Sequence, residues 1–197
     1  MTPPAQPLVS QGLSAEEYLI GEQQSDCRHE YIAGEVYAMA GAGERHNRIA
    51  GNLFFHLRAA ARGSPCGVYI SDMKLRVEAV DAFYYPDVML GCNNDDSDPL
   101  FKSLPCVVAE VSSPSTEVID RREKLLAYRT LPSLRYYLLL AQDERRVELY
   151  QRGDNGSWTH TIYQQEGEFT LICPPDYQVH FSMDELYEDV RFDEPSA

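Results

Sequence analysis

The chain has 197 residues, 44% hydrophobic and 24% charged, with a formal net charge of −14. That length suits one domain with a real core, and the composition is that of an ordinary soluble globular protein. The negative balance excludes a protein held on nucleic acid mainly by a basic surface, though not a nuclease whose contact surface is locally basic.

In chain order, residues 1–12 (MTPPAQPLVSQG) lack the basic start and apolar core of a signal peptide and read as a flexible tail. Ser14 and Glu17 have capping-box spacing and Leu13 precedes them like a staple residue, so a short helix begins there. RHEYIAGEVYAMAG alternates about Gly34 as a hairpin, with Glu30 on its first strand. His46 to Arg62 predicts the strongest helix: Ile49, Leu53, Phe54, Leu57 and Ala61 share one face, and Gly63 closes it. Strands are expected at GVYI and KLRVEA, then within FYYPDVML and LPCVVAEV. The loop between the last two, CNNDDSDPLFKS, is polar and acidic, a poor candidate for buried structure. DRREKLLAYR is helical and is broken by Leu131-Pro132-Ser133. LRYYLLLA reads as a fully buried strand and RVELYQR as a half-exposed one. WTHTIYQ and EFTLI add antiparallel strands after the GDNGS turn, and MDELYEDV predicts a last helix. This order gives an α/β or α+β domain over residues 13–190 with a mixed central sheet, followed by a tail over 191–197. No run approaches the ~20 apolar residues of a membrane-spanning helix. Cys27, Cys66, Cys92, Cys106 and Cys173 are odd in number and scattered without zinc-ligand spacing, so they read as reduced thiols in a cytosolic protein.

Two acids stand out. Asp87 follows Pro86 inside an apolar segment, and proline puts that strand at an edge or a bend. Glu110 sits among Val107, Val108, Ala109 and Val111. An acid in such a place is costly unless it is paired or binds a metal. One such acid alone reads equally well as a core carboxylate satisfied by an arginine or by backbone donors. Two on consecutive buried strands favour a shared cation, because like charges in one site raise a pKa strongly without one. Mg²⁺ characteristically takes one or two carboxylates plus phosphate oxygens. Lys124 has two readings: a surface pair with Asp120 four residues back, or a cation pointing back at the acids from the helix that follows Glu110. Asp72-Met73-Lys74 spells a D-x-K, but it precedes Pro86-Asp87 and reads as a strand start. His46 is either structural or a substrate or metal contact. Tyr31 and Tyr128 read as core packing.

Several segments together carry a family resemblance. They are HEYIAGEVYAMAG (29–41), His46-Asn47-Arg48, SDMKLRVE (71–78), YYPDVML (84–90), VVAEVSSPSTEVIDRREKLLAYR (107–129) and LPSLRYYLLL (131–140). The chain resembles the Uma-two family of predicted nucleases, within the PD-(D/E)xK restriction-endonuclease-like superfamily. The resemblance implies a restriction-endonuclease-like core: a mixed four- or five-stranded sheet flanked by helices, here with extra C-terminal antiparallel strands. It also implies a Mg²⁺-dependent (or Mn²⁺-dependent) phosphodiesterase centre. On it, Asp87 and Glu110 are the metal-holding acids, Glu30 is an early glutamate of the site, and Lys124 is the lysine. In the superfamily pattern the lysine lies two residues after the second acid, where this chain has Ser112. The family places it on the following helix instead. Ser112 and His46 are then candidate substrate contacts.

The expected function is a metal-dependent endonuclease hydrolysing phosphodiester bonds in DNA. Two alternatives stand beside it: a catalytically silent nuclease-fold binding or assembly module, and a metal-dependent hydrolase of another phosphoester. The expected partner is nucleic acid with no membrane, and the expected location is cytoplasmic. Nucleases that cut both strands are commonly dimers, so a homodimer is the assembly to test.

Overall fold

The computed structural model describes residues 12–39, 41–112 and 120–192, the side chains of 120 and 121 excepted. The expected tails over 1–12 and 191–197 fall largely outside these residues, as does the SPST part of the motif after Glu110. Helix α1 (Ala15–Glu22) starts at the expected capping box: Glu17 N–H donates to Ser14 Oγ at 3.2 Å and Ser14 N–H to Glu17 Oε2 at 2.9 Å. Strands β1 (His29–Ile32) and β2 (Glu35–Ala38) form the hairpin. Its two-residue turn has positive φ at Ala33 and Gly34 (48° and 93°), which matches the twist of the flanking strands. Helix α2 (Glu44–Ala60) begins two residues before the expected start, so His46 lies inside its first turn.

Strands β3 (Gly67–Ile70), β4 (Lys74–Val77), β5 (Ala82–Tyr84), β6 (Val88–Gly91), β7 (Phe101–Lys102) and β8 (Val107–Ser112) follow. A π-helical turn (Asp120–Lys124) runs into the short helix α3 (Leu125–Tyr128). Strands β9 (Tyr136–Ala141), β10 (Arg146–Arg152), β11 (Trp158–Gln164), β12 (Glu168–Cys173) and β13 (Tyr177–Ser182) and helix α4 (Met183–Leu186) complete the order. β13 was not expected from the sequence, and α4 is shorter than expected. The acidic loop is also less irregular than expected. Its end forms β7, which pairs in parallel with β4, and Lys102 there is buried with its ammonium on the Asp96 and Asp98 carbonyls.

The strands make a five-stranded sheet in the order β2-β1-β5-β4-β7, a six-stranded sheet in the order β11-β10-β9-β8-β6-β3, and the hairpin β12-β13. The main sheet is mixed, since β8 and β9 are parallel and the other pairs in it antiparallel. It is wider than the four or five strands expected, because β10 and β11 extend its edge. Period-two alternation gives β8 two buried faces. Val107, Ala109 and Val111 pack with α2 residues Ile49, Leu53 and Leu57 and with the β12-β13 hairpin. Val108 packs the other way, with Leu75 of β4, Tyr84 of β5, and Ala127 and Tyr128 of α3. Glu110 falls on this second face. The parallel β8–β9 pair requires a crossover connection, and that crossover carries α3 onto the face of Glu110.

The cysteine expectation is corrected for four of the five residues. Cys66 joins Cys92, and Cys106 joins Cys173, while Cys27 is free and exposed. The reason for the first pair is register: β3 and β6 match Gly67 with Gly91, which sets the adjoining cysteines side by side. Cysteine usage therefore carries no argument for a reducing compartment.

Candidate active site

Asp87 does not lie inside a strand, as the apolar pattern suggested. Pro86 and Asp87 occupy the break where the chain leaves β5 in one sheet and enters β6 in the other. Proline supplies no ladder donor, and here it marks a bend between sheets, not an edge, because β6 is flanked by β3 and β8. The antiparallel register of β6 and β8 matches Val88 with Ala109, which carries Asp87 toward Glu110 one step further on. The backbone N–H of Val111 donates to Asp87 Oδ2 at 2.7 Å. From the first turn of α2, His46 Nε2 lies 3.1 Å from the same oxygen. The structural and functional readings of His46 thus meet in one contact.

Glu30 approaches from the other sheet. β1 pairs with β5 through Tyr31–Phe83, so Glu30 sits beside the end of β5, and Tyr85 N–H donates to its Oε1 at 3.4 Å. Lys124 stands between this acid and Glu110. Its Nζ is 3.0 Å from Glu30 Oε1 and 3.2 Å from Glu110 Oε1. Lys124 is 8% exposed and Glu110 4%, so the lysine points inward. Asp120's side chain lies outside the described residues, so the alternative surface pair has no geometry to report.

One participant escaped the sequence reading. Tyr128, expected to be core packing, also donates its hydroxyl to Glu110 Oε1 at 2.8 Å. Burial and the neighbouring carboxylates push its phenol well above the usual range, so it stays a donor. A signal was available: Lys124 and Tyr128 are four apart on a helix and so share a face. Tyr84 flanks Lys124 with its ring 5.8 Å from the ammonium, and burial and then Glu30 push its phenol up to about 12. Ser112 ends β8, buried on the same strand face as Glu110, but a hydroxyl there supplies no cation. The D-x-K at 72–74 does not converge: Asp72 is exposed and pairs with Arg28 at 2.5 Å, while Lys74 is buried over the Tyr85 ring.

Glu30 and Glu110 thus meet on the Lys124 ammonium, and Asp87 stands at the neighbouring residue of β8 on Val111 N–H and His46. Hard oxygen donors of this kind suit Mg²⁺ or Mn²⁺, and Lys124 already stands where positive charge is needed. Among the described residues no group of three or more His, Cys, Asp or Glu side chains is set to hold a metal alone.

The model of the Uma2 family, described as "Putative restriction endonuclease", matches residues 15–183. Two Synechocystis sp. (strain ATCC 27184 / PCC 6803 / Kazusa) proteins are similar along most of the chain. Uncharacterized protein slr1290 is 33% identical over 181 residues, covering 91% of this chain and 94% of that one. Uncharacterized protein sll1609 is 36% identical over 166 residues, covering 81% and 94%. A crystal structure from Anabaena variabilis ATCC 29413, described as a "putative nuclease belonging to DUF820", superposes with a TM-score of 0.70. It covers 89% of this chain and 98% of its own at 13% identity, a likeness of fold.

Proposed function

The chain belongs to the Uma2 family, and from that premise we propose that it is a divalent-metal-dependent endonuclease hydrolysing phosphodiester bonds in DNA. The observation that carries this reading is the meeting of Glu30 and Glu110 on one lysine ammonium, at 3.0 Å and 3.2 Å, with Asp87 held beside the Glu110 strand by Val111 N–H and faced by His46. Carboxylates gathered this way suit a divalent ion with oxygen ligands.

Asp87 and Glu110 are the residues that would hold the ion, with Glu30 beside them. When bound, the ion supplies Lewis-acid polarisation of a phosphate oxygen. The protein's own groups do the rest. Val111 N–H and His46 orient Asp87, and Tyr128 orients Glu110. Lys124 supplies a preorganised cation for the charge that develops on the phosphoryl oxygens in the transition state. Its place on the helix after β8 makes up for the short hydroxyl of Ser112, because the position of the ammonium matters and not its place in the sequence.

Calorimetric titration with Mg²⁺ or Mn²⁺ tests the reading. One site is expected in the native protein, and Asp87→Ala should abolish it. Unchanged binding in that variant would remove the shared site. Metal binding with no cleavage of plasmid DNA, but turnover of a small phosphoester, would replace the nuclease reading with a broader phosphoesterase. Neither binding nor cleavage would leave a silent assembly module.

A further inference from the structure

The surface of a chain with net charge −14 repels nucleic acid unless positive charge is gathered somewhere. Many arginines are neutralised locally: Arg28 faces Asp72, Arg48 faces Glu44 and Arg76 faces Asp81. One pair differs. The guanidinium carbons of Arg129 and Arg152 lie 5.4 Å and 4.8 Å from the ring centroid of Trp158. Among the described residues neither arginine has a carboxylate partner. Arg152 is fixed by donating from Nη1 to the Pro132 carbonyl at 3.0 Å and from Nη2 to the Arg129 carbonyl at 2.5 Å. The Arg129 side chain is exposed and makes no hydrogen bond to a described residue. Burial, and then the charge of Arg129, lower the affinity of Arg152 for its proton. An anion between them would offset the repulsion of two like charges held on one indole.

We propose that Arg129 and Arg152, mounted on Trp158, form a phosphate-contact site for the nucleic-acid strand that reaches the carboxylate cluster. A guanidinium against an aromatic ring still presents in-plane N–H groups to a phosphate: exposed Arg129 offers its fork bidentately, and Arg152 offers the N–H groups not given to the Pro132 and Arg129 carbonyls. The location suits this. Arg129 caps the helical segment that follows Lys124, five residues on, and is exposed where Lys124 is buried. Trp158 packs on the apolar cluster that contains Tyr84 and Tyr128, the two tyrosines of the candidate site. The proposal rests on the nuclease reading and adds the surface that would seat the substrate's flanking phosphates.

Trp158 is the only tryptophan in the sequence, so its emission reports directly on this surface. The experiment titrates the full chain, in EDTA to prevent cutting, with a fluorescein-labelled 20-nucleotide DNA as single strand and as duplex. Anisotropy and Trp158 emission are followed at several salt concentrations. Binding should change Trp158 emission. Arg129→Gln should weaken binding about three- to tenfold and reduce the slope of log affinity against log salt by roughly 0.7–0.9, one phosphate contact. Arg129→Glu should weaken it further. Neither change disturbs the backbone carbonyl that holds Arg152, and an unchanged thermal midpoint verifies folding. Native-like affinity and slope in both variants, with Trp158 emission unmoved, would overturn this site while leaving the nuclease reading intact. No DNA binding by the unaltered protein would overturn both.

Discussion

Two buried glutamates sit in one row of the main sheet, two strands apart. Glu110 on β8 is in register with Leu139 on β9, which is in register with Glu148 on β10. Each is 4% exposed, and paired positions face the same side. Their surroundings diverge. Glu148 is met by Arg146 two residues back on its own strand at 2.6 Å, by His160 at 2.9 Å and by the Tyr150 hydroxyl at 3.0 Å. Glu110 receives a tyrosine hydroxyl too, but its cation, Lys124, is shared with Glu30. Arg146 lies 2.6 Å from Glu148 and reaches the half-exposed Glu144 only at 3.9 Å, whereas Lys124 is held almost evenly, at 3.0 Å and 3.2 Å, between Glu30 and Glu110. Burial alone therefore does not distinguish a structural carboxylate from a candidate metal ligand. How evenly two acids compete for one cation is the difference between them.

The largest expected effect comes from removing the shared cation. Lys124→Ala should lower any cleavage rate about a hundredfold, the scale of losing one transition-state charge partner. It should also cost roughly 3–5 kcal/mol of metal-free stability, because it leaves Glu30 and Glu110 facing each other in a buried place. Mg²⁺ should then raise the melting temperature of Lys124→Ala more than that of the native protein, since the ion replaces the lost charge. Equal shifts in the two would mean that metal and lysine do not act on the same carboxylates. Lys124→Arg should not fully rescue cleavage, because a planar fork does not reproduce a point charge.

Arg146→Met is the matching test at the balanced acid. It should destabilise by about 3 kcal/mol and leave the Mg²⁺-induced change in melting temperature as it is in the native protein. A lost Mg²⁺ response in Arg146→Met would erase the distinction between the two glutamates. A smaller effect follows at Tyr128. Tyr128→Phe deletes a hydrogen bond to a charged oxygen and should cost roughly 1.5–3 kcal/mol, visible in denaturant midpoints. A change below about 0.5 kcal/mol would make the hydroxyl incidental.

Much of this arrangement was legible in the sequence, and the illegible part has identifiable causes. The apolar run around Glu110 marked a strand buried on both faces, and the helical pattern after it placed a lysine within reach. Pro86 signalled a disruption, but whether the chain bends, ends or changes sheets depends on strands far away in sequence. Glu148 was hidden because RVELYQR alternates like a half-exposed strand, and the groups that meet it include His160, on a strand whose pairing the pattern does not encode. The two disulfides depend on the β3–β6 register and on the packing of the β12-β13 hairpin, which cysteine spacing does not encode.

Lys74 completes the comparison as a buried cation with no acid of its own among the described residues. It starts β4 at 7% exposure, its ammonium 5.3 Å from the centroid of the Tyr85 ring. Burial lowers its affinity for a proton, and the fields of Glu22 and Asp98 offset this only in part. A lysine held below its ordinary value of 10.5 penalises the folded state while it is charged in both states. Between its folded value and 10.5 the unfolded chain binds more protons, so raising the pH through that window stabilises the fold at this residue. Lys74→Met removes the penalty at every pH while retaining the aliphatic stem. The variant should be as stable as the native protein or more so at pH 7, by no more than about 1 kcal/mol. Its advantage should shrink as the pH approaches 10.5. Tyrosines titrating in that range contribute alike to both proteins and cancel in the difference. A variant less stable at pH 7, or a difference that ignores pH, would mean that Lys74 has a favourable partner. The D-x-K at residues 72–74 would then have to be weighed again beside Asp87 and Glu110.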